Sequence, residues 1–339
     1  MLRATVLMAG LLLAGSAAAS DGTATFKDWW AACDNVRVCT AYGFPPDEEG
    51  GAVLRVRRAA EAGAIPEFDI NLAAEAGKGI NGPLSLAVDG KAVARTGAPE
   101  GSDDDFRGWT VSPAQVPALL AAIARGRALT VRSGDRTVVT LSLSGGSAAL
   151  RWIDDRQKRA GGVTALVARG PSPASAVPAP PSLPVIRAAK PVSQTGLTDT
   201  PPRAVLDRLK GFECEAKPPE APSSSRLASG MVLWTIPCWV GAYQISSALV
   251  LADEKGGHVR LVDLGGPGDV KERAMATSAE FDADRQELHS YAKGRGVADC
   301  GIATTHAWTG KAFVLTERTE LSACQGLSQD FWVTTFRAR

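Results

Sequence analysis

Nine of the 21 prolines fall between Pro171 and Pro202, and no other feature constrains the fold as strongly. Proline lacks an amide proton and fixes its own φ, so such a run builds neither helix nor central strand. Ser and Ala fill much of the remainder, and the stretch reads as an extended linker. It divides the chain into four parts: a leader (1–19), an N-terminal domain (20–168), the linker (169–203) and a C-terminal domain (204–339). Fully extended, the linker could hold the two domains on the order of 100 Å apart; the alternative is that it folds back along the surface, and either way it marks the domain boundary.

The leader has the form of a secretion signal. Arg3 supplies positive charge, Ala4 to Ala14 form a short apolar run, and Ser16 to Ala19 offer small side chains for cleavage after about Ala19. That run falls short of the roughly 20 apolar residues a membrane-spanning helix needs, and no later stretch reaches it. A periplasmic location is expected. Loss of Arg3 leaves 36 basic against 36 acidic residues. With no net charge and no dense basic run, nucleic-acid binding is not expected.

In an oxidising compartment the six cysteines read as disulfides. Cys33 and Cys39 are alone in the N-terminal half. Cys214 and Cys238, like Cys300 and Cys324, stand 24 positions apart. Sequential pairing is expected, with a swap among the last four as the alternative. The chain has no C-x-x-C and no Cys/His cluster at zinc spacing, so no metal and no cofactor are expected.

Both halves read as mainly β with a few helices: two β-rich, antiparallel, sandwich-like domains. Glu67 to Leu72 alternates strictly between polar and apolar, as a half-buried strand does. Leu54 with Val56, and Leu84 with Leu86 and Val88, repeat the period. Ser133 to Arg136 separates two strand-like runs as a hairpin turn does. Ser112-Pro113-Ala114-Gln115 has the residues of a helix start, and Val116, Leu119, Leu120 and Ile123 form one apolar stripe. A second helix is expected from about Ser147 to Arg159. There Asp154/Lys158 and Asp155/Arg159 are spaced as i,i+4 pairs on a solvated face. Asp103 to Asp105 reads as a plain acidic loop. In the C-terminal half, a short helix at Arg203 to Phe212 precedes strand-like runs at Met231–Ile236, Ala248–Ala252 and His258–Leu264.

Enzyme templates fail. Ser290-x-x-Lys293 lacks the helix and partner motifs of penicillin-recognising enzymes. There is no G-x-S-x-G and no H-E-x-x-H. Of three histidines, His289 and His306 could approach each other across a hairpin. The densest polar stretch runs from Ser290 to Gly301. Three glycines there flank Lys293 and Arg295, with Asp299 placed to orient the arginine. Either Lys293, Arg295 and Asp299 contact an anionic ligand or partner, or Arg295 and Asp299 form an internal pair that fixes the turn.

Several phrases together resemble a known family. They are Asp28-Trp29-Trp30 before Cys33; Cys39-x-Ala41-Tyr42-Gly43-Phe44; Gly146 to Asp155; Pro237-Cys238 with Gly241-Ala242-Tyr243; and Lys293-Gly294-Arg295-Gly296 with Asp299-Cys300-Gly301. The chain resembles a bacterial secreted family known as domain of unknown function number eleven-seventy-six. Its N-terminal part is similar, more faintly, to invasion-associated locus B proteins. The chain departs from that pattern at Val297-Ala298, where a glycine is expected. The resemblance implies an envelope protein of Gram-negative bacteria and no reaction. The expected role is non-enzymatic binding of an envelope protein or a cell-wall component. The competing expectation is an envelope hydrolase with its site near His289, His306 and Asp299. The oligomeric state is left open.

Overall fold

The computed structural model describes residues 22–46, 51–100, 105–212, 214, 220–241 and 243–339. The expected leader, Asp103 and Asp104 lie outside them. The N-terminal half contains β1 (Thr23–Phe26), β2 (Trp29–Cys33), β3 (Cys39–Gly43), β4 (Ala52–Arg58), β5 (Glu67–Ala73), β6 (Ser85–Val88), β7 (Lys91–Arg95) and β8 (Phe106–Thr110). Helix α1 (Val116–Ile123), β9 (Ala128–Ser133), β10 (Arg136–Ser142) and α2 (Gly146–Arg156) complete it. Strands β1-β2-β3-β4-β5-β8 form one antiparallel sheet, and β10-β9-β6-β7 form a second.

Successive residues of a strand point to opposite faces, and this explains the Trp29-Trp30 pair. Trp29 enters the core between the first sheet, the second sheet and both helices, where its Nε1 donates to the Ser142 carbonyl at 2.9 Å. Trp30 plugs the other face beside Tyr42, Phe44 and Phe106. Both indoles are wholly buried, so the sheet needs cover on both sides. The α1 stripe expected from the sequence is buried, and a 3₁₀ turn at Pro113–Gln115 leads into it.

The C-terminal half supplies the second cover. It contains α3 (Arg203–Arg208), β11 (Ser223–Arg226), β12 (Met231–Gly241), β13 (Gln244–Asp253), β14 (Arg260–Leu261), β15 (Met275–Thr277), β16 (Glu280–Asp282), β17 (Glu287–Lys293), β18 (Gly301–Trp308), β19 (Phe313–Leu321) and β20 (Val333–Arg337). Strands β11-β12-β13-β14 form a third sheet, with β15 also on β13, and β16 to β20 form a fourth in sequence order. The third sheet packs one face on α3 through Val205 and Leu209. Its other face meets the fourth sheet through Leu233, Leu249, Leu288 and Trp308. Leu321, Leu327 and Phe331, at the far end of the fourth sheet, close over Trp30, Tyr42 and Phe106. The Phe331 ring meets Phe106 edge-on at 4.9 Å. The Tyr42 hydroxyl donates to the Phe331 carbonyl at 2.8 Å. Arg337 reaches buried Asp34 at 2.7 Å, and Asn35 exchanges two hydrogen bonds with the Arg337 backbone.

The proline-rich segment does not act as a free spacer between these halves. Arg37 donates to the Pro178 and Ala179 carbonyls. The Ile186 amide donates to the Arg339 carbonyl, the Arg339 amide to the Pro184 carbonyl, and the Ala189 amide to the Trp308 carbonyl at 2.7 Å. Gln194 and Arg226 bond reciprocally through side-chain amide and backbone. The segment is extended, as its prolines demand, but strapped to the sheets along its length.

Three disulfides join Cys33 to Cys39, Cys214 to Cys238 and Cys300 to Cys324. The first crosses directly paired positions of β2 and β3. The second meets β12 at its bulge. The third closes the open end of the β18–β19 hairpin, from one position before Gly301 to three positions after Leu321, the last directly paired residues.

One expectation is corrected. Asp154 and Arg159 do not sit on a solvated helix face. Asp154 is wholly buried, and its carboxylate accepts the amides of Leu166, Val167 and Ala168 at 2.6, 3.0 and 3.0 Å. Arg159, also buried, donates to the carbonyls of Ala60, Glu61 and Ala62 and to the Gln157 and Thr164 side chains. The two residues organise loops on either side of α2. Helix periodicity alone cannot show those loops.

Candidate functional site

Strands β17 and β18 pair regularly down to Lys293 opposite Gly301, and the polar stretch forms the turn between them. The Gly294 amide donates to the Cys300 carbonyl at 2.8 Å. A Cβ on Gly294 would stand 2.6 Å from the Cys300 sulfur. One on Gly301, where φ is 151°, would strike the Ala292 carbonyl and the Trp332 ring. These glycines are needed for close approach. Ala298 is left-handed at φ 61°, a conformation that costs any residue with a Cβ. It is one of the two positions where the family pattern leads one to expect glycine.

Asp299 is buried and gathers the turn. Arg295 donates to both its oxygens, Nε at 2.7 Å and Nη2 at 2.5 Å. The Gly326 amide adds a third bond at 2.6 Å. The Arg295 hydrogen bonds hold the Asp299 carboxyl below its ordinary range, ahead of the opposing effect of burial. Asp299 is therefore the anchor that ties the turn to the loop after Cys324, and Arg295 is its clamp. Of the three expected contact residues, Lys293 is the one aimed elsewhere. Its Nζ lies 6.0 Å from the ring centroids of both Tyr243 and Tyr291. Its backbone is held by the Gln244 side chain, which receives its amide at 2.8 Å.

Tyr243 brings in an element the polar stretch does not reveal. It sits where β12 turns into β13, 79% exposed, on a backbone φ of 116°. Its ring lies against Gly296, within 3.4 Å of where a Cβ there would be. Val240 and Val297 beside it are exposed, Val297 to 75%. Turns favour Gly, Pro, Asn, Asp and Ser. An apolar and aromatic Trp239-Val240-Gly241-Ala242-Tyr243 at a hairpin end was the available signal.

The turn adjoins two clefts. One, of about 540 Å³, is lined by Val240, Tyr243, Gln244, Thr235, Ser247 and Ser278. The other, of about 620 Å³, lies at the seam between the halves, where Phe106 and Asp105 of the N-terminal half face Val297, Asp299, Leu327 and Asp330.

Residues 23–339 match the family described as Protein of unknown function (DUF1176). The chain belongs to that family. It is 31% identical over 336 residues to the uncharacterized protein YpfG of Escherichia coli (strain K12), a match covering 93% of this chain and 92% of that protein. The structure is weakly similar to the crystal structure of invasion associated protein B from Bartonella henselae. That likeness has a TM-score of 0.32 at 21% identity, over 40% of this chain and 98% of the other.

In this DUF1176 chain the two histidines do not form a pair. His289 stands opposite Thr305 in the β17–β18 register, and His306 stands opposite Leu288. Side chains at successive positions point to opposite faces of the sheet. His289 bonds Thr305 at 3.1 Å. His306 is buried and reaches the Leu264 carbonyl through Nε2 at 3.2 Å. Burial holds its imidazole below the ordinary range. The strand pair ends four register positions past His289, at Lys293 opposite Gly301, and Asp299 lies beyond that end, two residues before Gly301. Among the described residues, no three His, Cys, Asp or Glu side chains group as a metal site, and no helix is long and apolar enough to cross a membrane. The turn presents an exposed aromatic ring with an ammonium 6.0 Å from its centroid, between two clefts.

Proposed function

We propose that this is an exported periplasmic protein that works by binding an envelope protein, through the face built by Tyr243 and the 293–299 turn. The single observation behind this reading is Tyr243: a large ring held in solvent on a strained backbone. Strain of this kind costs on the order of 1–3 kcal/mol and concentrates at ligand-contacting positions. Exposed Tyr beside a basic group is also the composition that dominates protein–protein contacts. The three disulfides are consistent with an oxidising compartment outside the cytosol.

A photoreactive phenylalanine analogue placed at Tyr243 or Val297, and at the remote exposed positions Ile65 and Val163, tests this in living cells. A crosslinked band of one defined mass at 243 and 297, absent at 65 and 163, is expected. The same bands at all four positions would refute the assignment, and sedimentation with isolated cell-wall sacculi would move the partner to the wall. Arg295→Glu is a poor probe here, because it sets a second carboxylate against buried Asp299. Tyr243→Ser removes the ring without touching that anchor.

A further inference from the structure

The face of the first sheet that buries Trp30 continues outward as a polar surface. Along the sheet, Trp30 stands opposite Tyr42, Tyr42 opposite Arg55, and Arg55 opposite Asp69. Two residues further along, Thr40 stands opposite Arg57, and Arg57 opposite Glu67. Directly opposed side chains share a face. Thr40, Arg55 and Arg57 therefore face the C-terminal half, as Trp30 does. Strand β20 meets them there. A cleft of about 200 Å³ lies at this end of the seam, walled by Thr40, Arg55 and Arg57 from one half and by Thr334 and Arg337 from the other.

Each of the three arginines is oriented by a carboxylate that does not line the cleft. Arg55 donates to Asp69 through Nε at 3.0 Å and Nη2 at 2.8 Å. Arg57 donates to Glu67 through Nη1 at 3.3 Å. Arg337 holds its Nη2 2.7 Å from Asp34. These pairs leave donors over: Nη1 of Arg55, Nε and Nη2 of Arg57, and Nη1 of Arg337 have no acceptor among the described residues. The side chains are within reach of a ligand, being 35%, 44% and 39% exposed. Of Arg55 and Arg337, only the Arg337 Nε is buried without an acceptor. Against these cations, Asp330 is the one carboxylate among the described lining residues, and it is exposed.

We infer that this cleft binds a phosphate group, and that the bound group bridges the two halves. A guanidinium presents its N–H donors in a rigid fork that matches phosphate oxygens. Three guanidiniums carried on two facing strands point donors from several directions. A tetrahedral phosphate has oxygens for all of them, whereas a planar carboxylate has two. The Thr40 and Thr334 hydroxyls add donors on either wall. The volume lies below the roughly 300–1,000 Å³ of drug-sized pockets and suits one phosphate group.

Calorimetric titration of the full chain with inorganic phosphate, glycerol 3-phosphate and acetate, at one fixed ionic strength, tests this. Flotation with phosphatidylglycerol vesicles separates a lipid source of the phosphate from a soluble one. Both phosphates are expected to bind, with acetate weaker by about tenfold or more, the worth of one charge-assisted hydrogen bond. Saturating phosphate should also raise the Tm of the docked chain, by mass action. Arg57→Gln breaks only an exposed ion pair, so the fold should survive; phosphate should weaken about tenfold. Thr334→Glu sets a carboxylate across from the arginines and should abolish binding. Arg136→Gln, an exposed arginine on β10, should leave it unmoved. Vesicle flotation that free phosphate competes away would assign the group to a lipid headgroup; phosphate binding without flotation would assign it to a soluble ligand. Phosphate bound no better than acetate, or weakened no more by Arg57→Gln than by Arg136→Gln, would overturn the inference.

Discussion

Asp154→Asn tests whether the interior of the N-terminal half rests on a buried charge. The substitution keeps the shape and one carbonyl acceptor. It removes the negative charge that faces Arg58 at 3.7 Å and acts on Arg159. It also weakens three bonds from the amides of residues 166–168. Hydrogen bonds to a charged group contribute about 1.5–3 kcal/mol each, though not additively. Removing one partner of a buried ion pair costs about 3–5 kcal/mol, because the other charge remains buried and alone. The expected loss is therefore about 3–5 kcal/mol, a large share of the roughly 5–15 kcal/mol that holds a typical domain together. Urea unfolding followed by tryptophan fluorescence measures it. Combining it with Arg58→Gln should lose at least about 1 kcal/mol less than the sum of the single changes, as coupled partners do. A loss under about 1 kcal/mol for Asp154→Asn would refute the reasoning, since an exposed helix pair contributes only a few tenths.

Other expectations follow from the seam, the turn and the buried imidazole. Phe331→Ala removes the ring packed on Phe106 and Tyr42; it should cost about 3–5 kcal/mol and split a joint thermal transition into two. Ala298→Gly relieves a left-handed φ and should raise stability by up to about 1 kcal/mol, seen as a higher Tm of the joint transition. His306 has a folded pKa below its ordinary 6.5. The unfolded chain thus binds the proton first, and stability should fall as pH drops below about 6.5. His306→Gln should flatten that slope in urea midpoints measured from pH 5 to 7.5.

Much of the fold was legible where the cause is local. Alternation marks β4, β5 and β6, and Ser133 to Arg136 marks the β9–β10 hairpin. Cysteine spacing anticipates bonds that close neighbouring segments. What was not legible depends on partners distant in sequence. The i,i+4 spacing of Asp154 and Lys158 describes a helix alone, whereas the amides that bury Asp154 come from residues 166–168. Proline content shows that residues 171–202 are extended. It says nothing of Arg37, Trp308 and Arg339, which hold them down. At the site, the Arg295–Asp299 spacing offered an internal turn-fixing pair as one of two readings, and the two side chains do pair. Tyr243 stayed hidden because its neighbours Lys293 and Gly296 lie some 50 positions away in sequence.

The second cleft and the buried Trp30 face both require the two halves to be docked, not merely tethered. Small-angle X-ray scattering of residues 20–339 measures this most directly. A radius of gyration near 20 Å, the value for about 320 residues packed as one body, is the result predicted. A value well above about 30 Å, or a two-lobed distance distribution, would contradict the docking and remove the seam cleft with it.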